Sequence, residues 1–180
     1  KPLKLVLENF GPFLDSQMVD FTELDEIFLI SGPTGSGKTS LFDGMVYALY
    51  GELPGTRDPL RIKSNFSDEQ GTARVILDLR ARGKVYRIQR SLTFSRNRKG
   101  ELNPRKDQSI FELRGEDKKE VPVPEAAKLS DLNRFVVELL HLSREEFSKI
   151  ILLPQGEFQK FLEEDSKGRQ EIMRKLFPTE

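Results

Sequence analysis

The sequence contains no cysteine and a single histidine, His141, among its 180 residues. The lack of cysteine excludes disulfides, thiolate nucleophiles, iron–sulfur clusters and zinc sites that use cysteine ligands. A Ser-His-Asp hydrolase would depend on His141, which lies between Leu140 and Leu142 in a helical pattern and is expected to mark a helix end. Since no disulfide scaffold is possible, the cytosol is the default compartment.

The sequence also lacks long apolar runs and an excess of charge of either sign. No apolar stretch approaches the ~18 residues that a membrane-spanning helix needs, and the N-terminal KPLKLV carries no signal-type stretch. Basic and acidic residues number 29 each, which excludes a globally basic nucleic-acid binder and a wholly acidic protein. Apolar residues make up 37% and charged residues 32%, so the length predicts about one domain with a modest core.

Hydrophobic periodicity divides the chain into three parts: 1–70, 71–122 and 123–180. Short strands are predicted in the first part at 3–8, 18–21 and 27–30, and the last of these is fully apolar, as in a buried central strand. A glycine-rich loop and a helix over 38–50 follow it. These features predict an α/β fold that contains a mixed sheet.

The second and third parts differ in period. Alternating residues on both sides of Arg82-Gly83 predict an antiparallel hairpin, followed by a polar, basic loop over 95–107 and a short strand over 110–113. Helices are predicted in the third part from Ser130, after a capping box at Ser143–Glu146, and over 157–162 and 168–177.

Residues 32–39, GPTGSGKT, fit the phosphate-loop pattern G-x-x-x-x-G-K-[ST] between a predicted strand and a predicted helix. Glycines allow the tight turns that point successive amide hydrogens at phosphate oxygens, and the N-terminal end of the helix adds positive potential. Lys38 would bridge the β- and γ-phosphates, Thr39 would bind Mg²⁺ and Ser40 would reach the α-phosphate. The predicted nucleotide contacts are Gly32, Pro33, Thr34, Gly35, Ser36, Gly37, Lys38, Thr39 and Ser40.

Hydrolysis also requires an acid that holds Mg²⁺ and orients a water molecule. The apolar run ending at Asp78 is the nearest candidate, but Leu79 follows it instead of a second acid, and the alternation turns Asp78 away from Leu77, toward solvent. The sequence at 68–71, DEQG, matches the D-x-x-G pattern of GTPases. No predicted strand precedes it and the chain has no N-K-x-D guanine motif, so we expect a polar turn there. The sequence therefore contains a nucleotide cradle without an identifiable catalytic acid.

Three stretches together resemble a known family: the phosphate loop, YALYGELPGTR at 47–57, and LPQGEF at 153–158 with Phe161-Leu162. They are similar to the N-terminal ATPase segment of bacterial SbcC, among the SMC-like ABC ATPases of double-strand-break repair, over essentially the whole chain. The resemblance implies the N-terminal half of a split P-loop ABC-type ATPase head. The other half, beyond a long coiled coil, would carry the signature motif and the catalytic acid.

The resemblance also implies the roles of individual residues. Gln155 matches the glutamine that contacts Mg²⁺ and the water near the γ-phosphate in this family. Lys38 and Gln155 would then be the catalytic residues, and Thr39 and Gln155 the metal contacts. Some relatives place an arginine near the nucleotide where this chain has the stretch 9–13, which leaves the contacts to base and ribose open.

The cofactors and partners that the resemblance implies are those of a DNA-end-processing machine. The cofactors would be ATP and Mg²⁺, with two heads that sandwich two ATP molecules. The partners would be the C-terminal half of the same head, a second SbcC protomer, an SbcD-type metal-dependent nuclease and double-stranded DNA ends, with no membrane. The ATPase would support the exonuclease and endonuclease activity of its partner, including hairpin cleavage, in the cytoplasm at the nucleoid.

One segment concentrates positive charge. Between Arg80 and Lys106 there are ten basic residues and one acid, Glu101, so this segment carries +9 and the rest of the chain −9. Such a segment suits duplex phosphates, and because few aromatic residues interleave, base stacking is not expected. A solvated edge strand that charge protects from aggregation is the alternative. The candidate DNA contacts are Arg96, Arg98, Lys99, Arg105 and Lys106.

Two other functions remain open from the residues alone. An independent phosphate-loop kinase for a small substrate would use Asp43 or Asp58 as an acid, would bind an anionic acceptor with the basic loop, and would turn over as a monomer. An SMC-type chromosome-structure ATPase head would act as a nucleotide-gated interaction module. The LPQGEF string favours the SbcC branch.

Overall fold

The computed structural model describes residues 1–24, 30–33, 35–126 and 128–151. The chain divides into two compact units, Lys1–His141 and Leu142–Glu180. Within the described residues, the first unit combines a six-stranded sheet with α-helices and two short 3-10 turns, Pro59–Ile62 and Pro124–Ala126. The predicted α/β class is confirmed. No helix in these ranges is long and apolar enough to cross a membrane.

The sheet consists of β1 (Pro2–Glu8), β2 (Gln17–Asp20), β3 (Gly71–Ala81), β4 (Lys84–Arg96), β5 (Leu102–Arg114) and β6 (Lys119–Pro122). Their order across the sheet is β2-β1-β3-β4-β5-β6, and every pairing in the described part of the chain is antiparallel. The predicted central strand at 27–30 has only Ile30 within the described residues. The parallel component of the expected mixed sheet is therefore not among the described pairings.

The predicted hairpin joins β3 to β4. Its turn is Arg82-Gly83, where both residues have left-handed φ angles of 49° and 75°, and Ala81 pairs with Lys84 across it. Positive φ at both central positions gives a turn whose twist matches that of the flanking strands. The hairpin prediction is therefore confirmed.

The basic loop expected over 95–107 is mostly strand, so this prediction was wrong. β4 continues to Arg96, which pairs with Leu102 at the start of β5. In the short turn between them, the side-chain oxygen of Asn97 accepts hydrogen bonds from two backbone N–H groups at 2.9 and 3.0 Å, and Gly100 has a φ of 80°. The charged composition hid the strand, because the backbone ladder of β4 outweighs the weak intrinsic strand preference of these residues.

Two helices belong to the first unit in its described part, α1 (Lys38–Tyr50) and α2 (Leu129–Leu140). The helix predicted over 38–50 is confirmed. It ends at Gly51, which has a φ of 71° and donates its N–H to the carbonyl of Tyr47 at 2.8 Å. Such a left-handed glycine satisfies an otherwise unpaired carbonyl at a helix end. His141 follows the end of α2 as Gly51 follows the end of α1, and it also has a left-handed φ, of 53°. The prediction that His141 marks a helix end is therefore confirmed.

The described part of the second unit is mainly α3 (Arg144–Ile151). The N–H of Ser143 donates to the carboxylate of Glu146 at 2.7 Å, and the N–H of Glu146 donates to the Ser143 hydroxyl at 3.2 Å. This reciprocal pair is the predicted capping box, which is confirmed. The helices predicted at 157–162 and 168–177 lie outside the described residues.

The core lies between one face of the sheet and the helices α1 and α2. Leu7, Val75 and Arg90 are in register across β1, β3 and β4 on this face, and all three are buried. Gly44 of α1 lies directly on Leu7, since a Cβ added to the glycine would be 2.5 Å from the leucine Cδ2. Glycine at this position therefore lets α1 approach the sheet closely, and the sheet in turn fixes where the first turn of α1 lies.

Candidate functional site

The predicted phosphate loop leads into the N-terminal end of α1. Gly35 and Gly37 have φ angles of 84° and 86°, a region that side-chain-bearing residues rarely adopt. No side chain caps the first turn of α1, and no acidic residue lies in that turn. The backbone N–H groups of the turn are therefore open donors, and the partial positive charge of the helix end is uncompensated.

Lys38 folds back over this loop. Its ammonium donates hydrogen bonds to the carbonyls of Gly32 and Pro33, both at 2.7 Å, and lies 3.4 Å from the Ser36 hydroxyl. The ammonium is thus held among oxygen atoms, at the place where the loop and the first turn of α1 meet. Thr39 is exposed on that turn, as a residue that binds a ligand from solvent must be.

A second loop, residues 9–13, supports the phosphate loop and the first turn of α1. The Phe13 ring lies against Gly37, where an added Cβ would be only 2.4 Å from the ring atom Cζ. Gly11 lies against Ser40, since a Cβ added to Gly11 would be 3.3 Å from the Ser40 hydroxyl oxygen. Gly37 is therefore required both by its φ and by the Phe13 ring. Sequence reasoning missed both contacts, because no local pattern indicates which side chain covers a distant glycine.

A cavity of about 570 Å³ opens beside Ser40. Its walls combine apolar side chains with polar and charged ones: Phe10, Gly11, Ser40, Asp43, Leu53, Thr56, Arg57, Asp58, Arg61 and Ile62. Its size and mixed lining are those of a small-molecule site. It is a candidate for the base and ribose contacts that the sequence left open, because Ser40 forms part of its wall.

Asp43 and Asp58, the acids of the kinase hypothesis, both have structural partners. The Asp43 carboxylate, on the buried side of α1, accepts two hydrogen bonds from the Arg57 guanidinium, at 2.5 and 2.6 Å. The hydrogen bond to Asp43 raises the pKa of Arg57. The Asp58 carboxylate accepts the N–H of Leu60 at 2.9 Å and so caps a 3-10 turn. The carboxylate of Asp43 could therefore act as a base only by giving up its bonds to Arg57, whereas Asp58 keeps one carboxylate oxygen outside its capping bond.

Asp78 is buried, so the expectation that it faces solvent was wrong. Only 5% of its surface is exposed, and its two carboxylate oxygens each accept a 2.7 Å hydrogen bond from Arg87. The same arginine donates to Glu120 at 2.7 Å, and the pKa of Arg87 is raised because two carboxylates stabilise its charge. The pair lies on the sheet face opposite α1, because its strand positions alternate with those of Val75 and Leu77.

The candidate DNA contacts do not form one surface. Arg96 is paired with Glu69, and Arg105 with Asp107 at 3.1 Å. Arg105 and Lys106 are consecutive in β5, so they point to opposite faces of the sheet. Arg98, Lys99 and Lys106 are exposed, and within the described ranges no acidic side chain pairs with them.

Other members of the basic segment have internal roles. Arg87 is in the ion pair with Asp78, and Arg82 contacts His141 and donates to the carbonyl of Glu138 at 2.7 Å. Arg90 is buried beneath α1. The +9 segment therefore presents much less free positive charge than its sequence suggests.

Two predicted site residues, Thr34 and Gln155, lie outside the described residues. The structure brings together the other predicted nucleotide contacts, which surround the start of α1: Gly32, Pro33, Gly35, Ser36, Gly37, Lys38, Thr39 and Ser40.

Comparison with known proteins gives close relatives, each named as the C subunit of the nuclease SbcCD. They are 40% identical over 183 residues in Staphylococcus epidermidis, 38% over 180 in Staphylococcus haemolyticus and 38% over 184 in Treponema pallidum. These alignments cover 100%, 98% and 100% of this chain, but only 18%, 17% and 17% of the relatives. The chain thus spans less than a fifth of their length, and the resemblance to the N-terminal segment of SbcC is confirmed.

A family model described as "AAA domain" matches residues 4–180. This range includes the phosphate loop, α1 and all six strands of the sheet except the first two residues of β1. Since the match extends over nearly the entire sequence, the chain belongs to the AAA domain family.

Proposed function

We propose that this chain is the ATP-binding N-terminal half of an SbcC-type ATPase head. The observation that carries the proposal is the open N-terminal end of α1, preceded by left-handed glycines at Gly35 and Gly37 and followed at once by Lys38 and Thr39. Donors without a capping side chain, together with a nearby ammonium, fit the phosphates of a nucleotide.

The chemical groups at this site are of the types that bind ATP and Mg²⁺. The backbone N–H groups of the loop and of the first turn of α1 would hold phosphate oxygens, and Ser40 would hold the α-phosphate. Lys38 would exchange its carbonyl acceptors on Gly32 and Pro33 for β- and γ-phosphate oxygens. Thr39 and Gln155 would hold Mg²⁺, which when bound neutralises phosphate charge. Lys38 and Gln155 are the proposed catalytic residues.

The cavity beside Ser40 is the proposed site of the base and ribose. Phe10, Leu53 and Ile62 offer apolar surface to a base, while Thr56 and Asp58 offer polar atoms to the sugar. Its position supports this assignment, because Ser40 belongs both to the cavity wall and to the proposed phosphate contacts.

We further propose that hydrolysis requires the C-terminal half of the head and a second protomer. Two facts support this: the chain spans only 18% of the Staphylococcus epidermidis relative, and the acids Asp43, Asp58 and Asp78 all have structural partners. The relatives' name, which makes them the C subunit of the nuclease SbcCD, supports an SbcD-type nuclease as partner. We propose that the complex acts on double-stranded DNA ends, as the family resemblance implies. The kinase hypothesis loses part of its support, since one of its two candidate acids, Asp43, gives both carboxylate oxygens to Arg57.

Among the five candidate DNA contacts, the cations without an acidic partner in the described part of the chain are the best candidates for binding DNA phosphates. Arg98, Lys99 and Lys106 are exposed, whereas Arg96 and Arg105 have acidic partners that DNA would need to displace. We therefore propose that the first three contribute most to DNA phosphate binding, and the other two less.

The test is equilibrium titration of the full-length natural protein with ATP and Mg²⁺. Replacing Lys38 with alanine should weaken binding by about tenfold or more, because a charge-assisted bond to phosphate is removed. The matched control is Lys119→Ala, an exposed lysine in β6 at the far edge of the sheet, which should bind like the natural protein. Equal affinity of the Lys38→Ala variant and the natural protein would contradict the proposal.

A further inference from the structure

Arg90 is an arginine in the core whose role the ATP site does not explain. It lies in β4 in register with Val75 and Leu7, beneath α1, and only 3% of its surface is exposed. Its Nε donates to the carbonyl of Ala48 at 2.7 Å, and its Nη2 donates to the carbonyl of Leu49 at 3.0 Å. Both carbonyls belong to the last turn of α1, where the helix itself provides no hydrogen-bond donors.

The charge of Arg90 is partly compensated by this helix end. Within the described residues no carboxylate pairs with it, while the C-terminal end of a helix carries about half a negative charge. Burial lowers the pKa of Arg90 to about 10, so the guanidinium remains protonated at neutral pH. Gly51 makes room for the contact, because a Cβ there would be 2.6 Å from Nη1 of the arginine.

The same guanidinium reaches a second helix. Its Nη2 also donates to the side-chain oxygen of Asn133 in α2, at 2.7 Å. One rigid, planar group therefore connects three elements: the end of α1, strand β4 and helix α2. Lysine could not reproduce these bonds at once, since it offers a single ammonium instead of a fork of donors.

We propose that Arg90 is a positioning residue for nucleotide binding, which fixes α1 at its C-terminal end and thereby orients the phosphate loop at the other end. The proposal rests on the ATP site proposed above. α1 has 13 residues and is about 20 Å long, so Arg90 is too far away to touch the phosphates. The contact of Gly44 with Leu7 lies between the two ends. If the C-terminal end is released, the helix can tilt about that contact, and the loop donors become misaligned.

Placing a charged group in the core supports a role beyond filling space. Burying a guanidinium is costly, and an apolar side chain of similar volume would fill the same place without that cost. An apolar side chain, however, could not make the directed bonds to Ala48, Leu49 and Asn133 that fix the rotation and tilt of α1.

The experiment measures both the dissociation constant of ATP and the number of binding sites per molecule, in the full-length natural protein. In Arg90→Met the dissociation constant should rise by about tenfold, because misaligned donors bind phosphate less well. Arg90→Lys should recover about half of the lost affinity on a logarithmic scale, since it keeps a charged donor group that can reach some of the three acceptors but not all of them. Arg74→Met, at an exposed arginine on the other face of the neighbouring strand, should leave the constant unchanged.

A merely structural role gives a different result. It lowers the number of binding sites, because fewer molecules fold, while the remaining molecules bind ATP with the natural dissociation constant. That outcome would overturn the proposal. If Arg90→Met does not fold, Asn133→Leu removes only the bond to α2 and should raise the dissociation constant about threefold. An unchanged constant in a folded Asn133→Leu variant would also overturn the proposal.

The two proposals fail in distinguishable ways. If the natural protein does not bind ATP, or if Lys38→Ala binds as well as the natural protein, the ATP site is wrong and the role of Arg90 fails with it. If Lys38→Ala weakens binding as expected while folded Arg90→Met retains the natural dissociation constant, only the role of Arg90 is overturned.

Discussion

The guanidinium of Arg57 donates two parallel hydrogen bonds to the carboxylate of Asp43, at 2.5 and 2.6 Å. Arg57 also donates to the carbonyl of Pro54 at 3.2 Å, within the loop that follows α1. The pair thus ties that loop to the buried side of the helix that carries Lys38. Both residues also line the cavity beside Ser40, so the pair forms part of the wall of that cavity.

Replacing Asp43 with asparagine should lower the free energy of unfolding of the 180-residue chain by about 1–2 kcal/mol. The substitution removes a charge-assisted, two-bond contact, and the effect is moderated because Arg57 is half exposed. Urea unfolding measures the change. Arg134→Ala, which breaks an exposed pair with Asp131 in α2, is the control and should change it by less than about 0.5 kcal/mol. Equal effects of the two substitutions would contradict the prediction.

Replacing Gly37 with alanine should abolish measurable ATP binding. The new Cβ would collide with the Phe13 ring and would also occupy a left-handed φ of 86°. Gly100→Ala separates these effects: its φ is 80° but its surroundings are empty, so it should cost only the strain, about 1 kcal/mol, and leave ATP binding intact. Gly37→Ala should also lower the free energy of unfolding. Adding Phe13→Ala to it should recover part of that loss, because the collision is removed while the strain remains. A Gly37→Ala variant that is no less stable than Gly100→Ala would rule out the collision.

Replacing Arg98, Lys99 and Lys106 together with alanine should weaken DNA binding and flatten its salt dependence. Removing one phosphate contact reduces the slope of log affinity against log salt by about 0.9, so the slope should fall by up to about 3 in the assembled complex. Replacing Arg96 and Arg105 should have a smaller effect per residue, since both are already paired. An unchanged slope in the triple variant means that these cations do not contact the duplex.

The 180-residue chain alone should hydrolyse ATP negligibly, because the catalytic acid is proposed to lie in the other half of the head. Of the candidate acids in this chain, Asp43 and Asp78 each give both carboxylate oxygens to an arginine. Adding the polypeptide that carries the C-terminal half of the head should restore turnover, measured as phosphate release. The restored activity should disappear in both Lys38→Ala and Gln155→Ala. Robust turnover by the isolated chain would contradict the split-head interpretation and favour a monomeric enzyme.

Features determined by neighbours in sequence were predictable. The turn at Arg82-Gly83 and the capping box at Ser143–Glu146 each depend on a few adjacent residues, and the structure has both where the sequence indicated. Helix α1 likewise begins at Lys38, where the phosphate-loop spacing indicated. The extension of β4 and β5 through 95–107 was not predictable in this way. It depends on pairing between strands, which a count of polar residues does not detect.

Arg90 shows that one signal in the sequence was overlooked. It continues the alternation of Tyr86 and Ile88, which form one face of β4, so its position already indicated burial. Counting it among ten basic residues treated all of them as surface charge. The contact of Phe13 with Gly37 gave no such signal, because it depends on how a separate loop folds over α1.

The hydrogen bonds from Lys38 to the carbonyls of Gly32 and Pro33 have a thermodynamic consequence. An incoming nucleotide has to replace contacts inside the loop as well as water, so part of the enthalpy gained from the new phosphate contacts is offset by the contacts that are lost. In calorimetry, the binding enthalpy should therefore be less favourable than the count of new hydrogen bonds to phosphate suggests.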